Sequence, residues 1–169
     1  MPLIPDTAVF QERLASLPVT SYQAGETVIA AGSTTDRLLI LKNGAVAILK
    51  DGIQIATVAE SGAIFGELSA LLAQPHTADV RALEKSQFHI ADATTLLTQD
   101  PIALLYVAAV LAQRLNGANQ TLIELRNQLD AGQPRSVIGK TVAKMEGLLE
   151  ASGASLMYAG YPSDPYGRG

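Results

Sequence analysis

The chain has 169 residues, 48% of them hydrophobic and 17% charged, which suits one buried core with an appendage and excludes a disordered polyelectrolyte. A net charge of −4 without any lysine or arginine cluster weighs against nucleic acid as the main partner, and the lack of cysteine removes disulfides, iron–sulfur clusters and thiolate zinc sites. The start MPLIPDTAVFQERL has no basic head followed by an apolar run, and the longest apolar stretch, Ile102–Ala112, is 11 residues and too short to span a bilayer. The expectation is a cytoplasmic protein that engages neither DNA nor membrane.

In chain order, Phe10, Leu14 and Leu17 recur at helical spacing, with Asp6 as candidate cap and Pro18 as the stop. From Ser21 to about Ala91 the texture changes to short apolar runs: Thr27–Ala30, Leu38–Lys42, Ala45–Lys50, Ile53–Val58, Val80–Leu83 and Ser86–Ala91. Gly25, Gly32, Gly44, Gly52 and Gly62 punctuate them at intervals of 7 to 12, which predicts a compact antiparallel barrel or sandwich. Asp51-Gly52 between two such runs predicts a tight hairpin.

Helical periodicity returns at Asp100-Pro101, a capping residue followed by a first-turn proline, and predicts a helix over 100–130. Along it Leu104, Ala108, Leu111, Leu115, Ala118, Leu122, Leu125 and Leu129 fall at alternating steps of four and three, the seam of a coiled coil. A roll roughly 25 Å across cannot cover all of that seam, so a second copy is expected to pair along it. After Ala131–Pro134, a short amphipathic helix is expected over 136–150, with Ile138, Val142, Met145 and Leu149 on its apolar stripe. Gly139 and Gly147 weaken it, so it needs a surface to dock on, and a protein partner could supply one. The terminal GYPSDPYGRG is expected to be a flexible tail.

The stretch with chemistry in it is Phe65–Val80, FGELSALLAQPHTADV. Gly66 permits a close backbone approach, and Glu67 opens a short helical turn whose first N–H groups lack helical partners and suit an anion. Glu67 itself suits sugar hydroxyls, while Pro75-His76-Thr77-Ala78 brings an imidazole and a hydroxyl back toward the same cradle. Phosphate on backbone amides and ribose on a carboxylate make a nucleotide site.

This segment resembles the phosphate-binding cassette of cyclic nucleotide-binding domains, F-G-E-[LI]-x-A-L…P-R-[ST]-A, and Leu38–Leu49 resembles a strand pair of the same family. Helix, glycine-punctuated strands and long closing helix follow in the family's order over residues 5 to 130, about three quarters of the chain. The resemblance implies an α+β fold: an antiparallel, jelly-roll-like β-roll over 21–92 flanked by helices, a long C-terminal dimerisation helix over 100–130, and an appendage over 131–169. It implies a regulatory, non-enzymatic module that senses cAMP or cGMP and carries no cofactor. The cassette residues Phe65, Gly66, Glu67, Leu68 and Ser69 would meet ribose and phosphate, with Glu67 accepting the 2′-hydroxyl. Thr77 and Ala78 would contribute at the phosphate, and Arg114, Ala118 and Asn119 lie at the offset that reaches the base.

One departure bears on affinity: the family's cassette arginine is His76 here. Arginine is always charged and forks onto two oxygens, whereas a neutral imidazole has one donor. Losing a charge-assisted hydrogen bond of about 1.5–3 kcal/mol weakens binding roughly 10- to 150-fold. The consequences that follow are weak or pH-dependent binding of a cyclic nucleotide, a different ligand, or a degenerate fold that binds none and serves as an interaction scaffold. Gly139-Lys140-Thr141 is not the end of a phosphate-binding loop, because Pro134 stands where its first glycine belongs. Two histidines, His76 and His89, are too few for a metal enzyme on a similar roll, and His89 reads as a structural strand residue. The 39 residues after Asp130 show no helix-turn-helix pattern, which leaves a partner or the dimer as the expected output.

Overall fold

The computed structural model describes residues 7–132 and 134–150, with side chains described for 8–132 and 134–142. Helix α1 (Thr7–Leu14) leads into β1 (Val19–Tyr22), β2 (Thr27–Ile29), β3 (Arg37–Asn43), β4 (Val46–Lys50), β5 (Ile53–Val58) and β6 (Ile64–Phe65). Helix α2 (Glu67–Leu72) interrupts the strands before β7 (Asp79–Ala82) and β8 (Ser86–Asp92), and α3 (Ala93–Gln99), α4 (Pro101–Asp130) and α5 (Arg135–Glu150) complete the chain. The strands form two antiparallel four-stranded sheets, ordered β1-β8-β3-β6 and β2-β7-β4-β5, which face each other as a β-roll.

The sequence of β3 explains how the roll and the helices share one sheet. Alternate residues of a strand point to opposite faces. Leu39 and Leu41 enter the core between the sheets, with Ile29, Ile48, Val58, Val80 and Phe88. Leu38 and Ile40 turn the other way into a second core with Phe10 and Leu14 of α1, Leu97 of α3, and Tyr106, Val107 and Val110 of α4. A strand buried on both faces reads as an unbroken apolar run, and LLIL is one. At the β4–β5 turn both Asp51 (φ 51°) and Gly52 (φ 79°) take positive φ, as a two-residue hairpin requires.

Three elements escaped the sequence. Strand β6 has two residues, β1 begins at Val19 rather than Ser21, and α3 is a threonine-rich helix whose Asp92 carboxylate accepts from the Thr95 amide at 2.7 Å. Helix α1 stops at Leu14, four residues before Pro18.

Helix α4 starts as expected: Asp100 Oδ1 accepts from the Ile102 and Ala103 amides at 3.0 and 3.2 Å, with Pro101 in the first turn. Its roll-facing side stacks Tyr106 on Phe10 with ring centroids 3.8 Å apart. The seam divides on folding. Leu104, Leu115, Leu122 and Leu129 are 44%, 62%, 48% and 56% exposed, whereas Leu111 and Leu125 are half-buried and Ala118 is buried. By length and composition alone, α4 is apolar enough to cross a membrane, unlike the 11-residue stretch within it, yet Tyr106, Val107 and Val110 pack it onto the roll.

The short second helix finds a surface within the chain. Helix α5 folds back on α4 and reaches β5, the edge strand of its sheet. Thr141 is buried and donates to Gln128 Oε1 at 2.7 Å, with Val137, Ile138 and Val142 half-buried around it. The Asp6 cap, the side chains of Met145 and Leu149, and the GYPSDPYGRG tail lie outside the described residues.

Candidate ligand-binding site

The site is assembled where α2 leaves the sheet edge and α4 passes over it. Gly66 has φ +91°, and a Cβ there would lie 2.5 Å from the Arg37 carbonyl oxygen. Only glycine lets the chain turn at this point while its backbone lies against Arg37. No side chain caps the first turn of α2, and the turn ends at Ala73 in left-handed conformation (φ 50°). Ser69 Oγ donates to the Gln74 carbonyl at 2.7 Å, which closes the loop.

The result is an open cleft of about 50 Å³. Ile29 of β2, Ile48 of β4 and Val80 of β7 form an apolar floor. Phe65, Gly66, Glu67, Leu68 and Ser69 line one side, His76, Thr77 and Ala78 another, and Arg114 reaches in from α4. The cassette residues singled out in the sequence therefore meet around one cleft. Ala118 is buried but does not line it, and Asn119 is exposed on α4, so the structure does not bring Asn119 to the site.

Arg114 has a more specific place than an offset along a helix conveys. Its Nη1 donates to Glu67 Oε1 in an ion pair whose side chains are 6% and 4% exposed, and its Nη2 donates to the Ile64 carbonyl at 3.2 Å. The Nε proton has no partner among the described residues. The pair links the cassette to α4 across 47 residues of chain. A carboxylate offers about four acceptor positions, so Glu67 can hold Arg114 and still accept a hydroxyl.

His76 is buried, and its ring lines the cleft with Nε2 2.8 Å from Thr35 Oγ1. Burial pushes its pKa below the ordinary histidine value, partly offset by the nearby Glu67 carboxylate. Thr35 was not legible in the sequence because it sits 41 residues from His76, in a loop without a motif. His89 lies in β8, away from the cleft. Its pKa is also lowered, first by burial and then by Lys42, against a backbone hydrogen bond at Leu17. Among the described residues, no group of three or more histidine, aspartate or glutamate side chains gathers as a metal site would.

The structure is a two-sheet β-roll whose short cassette is tied to a long closing helix beside one cleft. Residues 19–98 match the family model of the cyclic nucleotide-binding domain. It is similar to Glutaminase 2 of Bradyrhizobium diazoefficiens, with 36% identity over 106 residues, 58% of this chain and 17% of that protein. It is also similar to Cyclic nucleotide-gated channel beta-3 of Canis lupus familiaris, with 29% identity over 118 residues, 59% of this chain and 15% of that protein. The chain thus matches about a sixth of the length of these curated relatives. Among solved structures, a cyclic nucleotide-binding domain from Methylobacillus flagellatus KT shares the fold, with a TM-score of 0.58, 23% identity, and coverage of 69% of this chain and 72% of that one.

Proposed function

We propose that this chain is a regulatory module that senses a cyclic nucleotide, cAMP or cGMP, with modest affinity, and passes the signal on through a second copy paired along α4. It would act in the cytoplasm and catalyse nothing itself. The observation that carries the reading is the convergence of the cassette residues and α4 on one cleft, joined there by Glu67 and Arg114. Recurrence of the same stretch within small parts of a protein named a glutaminase and of a cyclic nucleotide-gated channel supports a portable module rather than a catalytic unit.

The mechanism follows from the pair. A ribose hydroxyl arriving at Glu67 meets a carboxylate already tied to α4, so occupancy of the cassette and the position of α4 are energetically coupled. Such coupling shifts a two-state equilibrium only by the ligand's difference in affinity for the two states. The exposed leucines Leu104, Leu115, Leu122 and Leu129 give α4 a surface on which a second copy would register the shift.

Calorimetric titration with cAMP and cGMP at pH 6 and pH 8 tests the reading. Micromolar binding that weakens at pH 8 is expected, because a protonated His76 makes the stronger bond to a phosphate. His76→Arg should tighten binding by roughly 10- to 150-fold. An unchanged or weaker affinity in that variant would remove His76 from the phosphate. A second reading, an interaction scaffold that binds no nucleotide, draws on the small volume of the cleft, about 50 Å³, where ligand pockets typically span about 300–1,000 Å³. Absence of heat for both nucleotides at both pH values would select it.

A further inference from the structure

We infer that Thr35 is a positioning residue for this site: its hydroxyl donates to His76 Nε2, which fixes the neutral ring with its proton on Nδ1 and makes His76 a hydrogen-bond donor without the cationic form. The inference rests on the reading of the cleft as the site of an anionic nucleotide. It accounts for how a histidine can stand where the cassette calls for an arginine.

The loop between β2 and β3 grips the return of the cassette at several points. The Gly32 amide donates to the His76 carbonyl and the His76 amide to the Ser33 carbonyl, both at 2.8 Å. The Ala31 amide donates to Asp79 Oδ1 at 2.7 Å. These bonds fix the backbone of His76, and the 2.8 Å contact with Thr35 then fixes its ring. The ring Cε1 lies 3.6 Å from the position a Cβ on Gly66 would take, so the imidazole sits against the start of the cassette. His76 lines the cleft and Thr35 does not, so Nε2 is turned to the loop and Nδ1 is the nitrogen that Thr35 leaves unoccupied.

A threonine hydroxyl can donate or accept, and a neutral imidazole has one of each. The partner at one ring nitrogen sets the tautomer at the other. Thr35 Oγ1 and His76 Nε2 are in hydrogen-bond contact, and in the direction inferred the hydroxyl donates and Nε2 accepts. Glu67 lines the same cleft, and its carboxylate acts electrostatically on the ring. The surrounding carboxylates have other partners: Glu67 holds Arg114, Asp79 takes the Ala31 amide, and Asp36 takes the Thr94 hydroxyl at 3.1 Å. Burial disfavours the imidazolium, so a neutral ring that already donates is the form that matters near pH 7.

Imidazole nitrogen-15 spectra of the ligand-free full chain read the tautomer directly. Two histidines are present, and His89→Gln assigns them. The Nδ1–H form is expected for His76 in the native chain and in Thr35→Ser, with a shift toward Nε2–H in Thr35→Val. Finding Nε2–H in the native chain overturns the inference. Titration with cAMP supplies the second arm. The native chain should lose about 10-fold or less in affinity from pH 6 to pH 8, the difference between a charged and a neutral hydrogen bond. Thr35→Val should lose about 10-fold more than that at pH 8 and little at pH 6, where the phosphate draws a second proton onto the ring, and Thr35→Ser should restore the native profile. An equal loss at both pH values marks a merely structural threonine and overturns the inference. If the native chain binds no cAMP, the nucleotide reading fails, and the tautomer spectra still decide the role of Thr35.

Discussion

At the scale of single residues, the Glu67–Arg114 pair dominates the energetics of the site. Each charge has left water; the other compensates it, and the Ile64 carbonyl takes a further hydrogen bond from Arg114. Removing one partner from a buried pair costs about 3–5 kcal/mol, because an uncompensated charge stays behind, whereas replacing both with neutral groups of similar size is close to neutral. Arg114→Met and Glu67→Gln should therefore each lower the urea midpoint strongly, and the double variant should recover most of the loss. A double variant as unstable as the sum of the singles would mean that the two side chains act independently. The histidines contribute to the loss of stability in mild acid. His76 and His89 both have lowered pKa values in the folded chain, chiefly through burial. Below about pH 6.5 the unfolded chain takes up protons that the folded chain refuses, so stability falls as the pH drops through and below that value and is flat above it. Urea midpoints at pH 8, 6.5 and 5.5 would check this, and a constant midpoint across the series would contradict it.

At the scale of elements, α4 is placed by its first residue. Asp100 caps two amides and also meets Arg13 Nη1 of α1 at 3.2 Å. The ion pair is half exposed on its arginine side and adds little, since such surface pairs are worth about 0–1 kcal/mol. The cap contributes more than the ion pair. Asp100→Ala should cost about 1 kcal/mol and at most about 2, while Asp100→Asn, which keeps the capping oxygen, should cost less. Thermal unfolding of the two variants separates cap from charge: equal losses would assign the effect to the salt bridge. Helix α5 shows why a weak helix can persist. Gly139 lowers its intrinsic stability, and docking of Thr141 and its apolar neighbours on α4 supplies what propensity lacks.

At the scale of the whole molecule, the question is what lies against the outer side of α4. Four seam leucines remain between 44% and 62% exposed in a protomer of 17.7 kDa. The pairing proposed along this side predicts a dimer by light scattering, with Leu115→Glu plus Leu122→Glu converting it to a monomer without loss of folded circular dichroism. A native chain that scatters as a monomer at high micromolar concentration would exclude the pairing.

Most of the roll was legible because it obeys local rules. LLIL forms a strand buried on both faces, Asp51-Gly52 supplies the two positive φ angles of its hairpin, and Asp100-Pro101 starts α4. The cassette was legible because its residues are neighbours in sequence, and the fold carries them to the cleft together. Where the determinants lie far apart, the sequence was silent. Strand β6 is too short to show a period, α3 owes its existence to packing of Leu97 and to the Asp92 cap, and Asn119 has the right offset along a helix whose rotation turns it to solvent. The chain by itself determined the class of fold, the cassette and the exchange of arginine for histidine, since each is written in contiguous residues and short-range geometry. Only the tertiary structure decided that Arg114 meets Glu67, that Thr35 holds His76 and that α5 docks on α4, because each is a contact between segments that topology alone brings together.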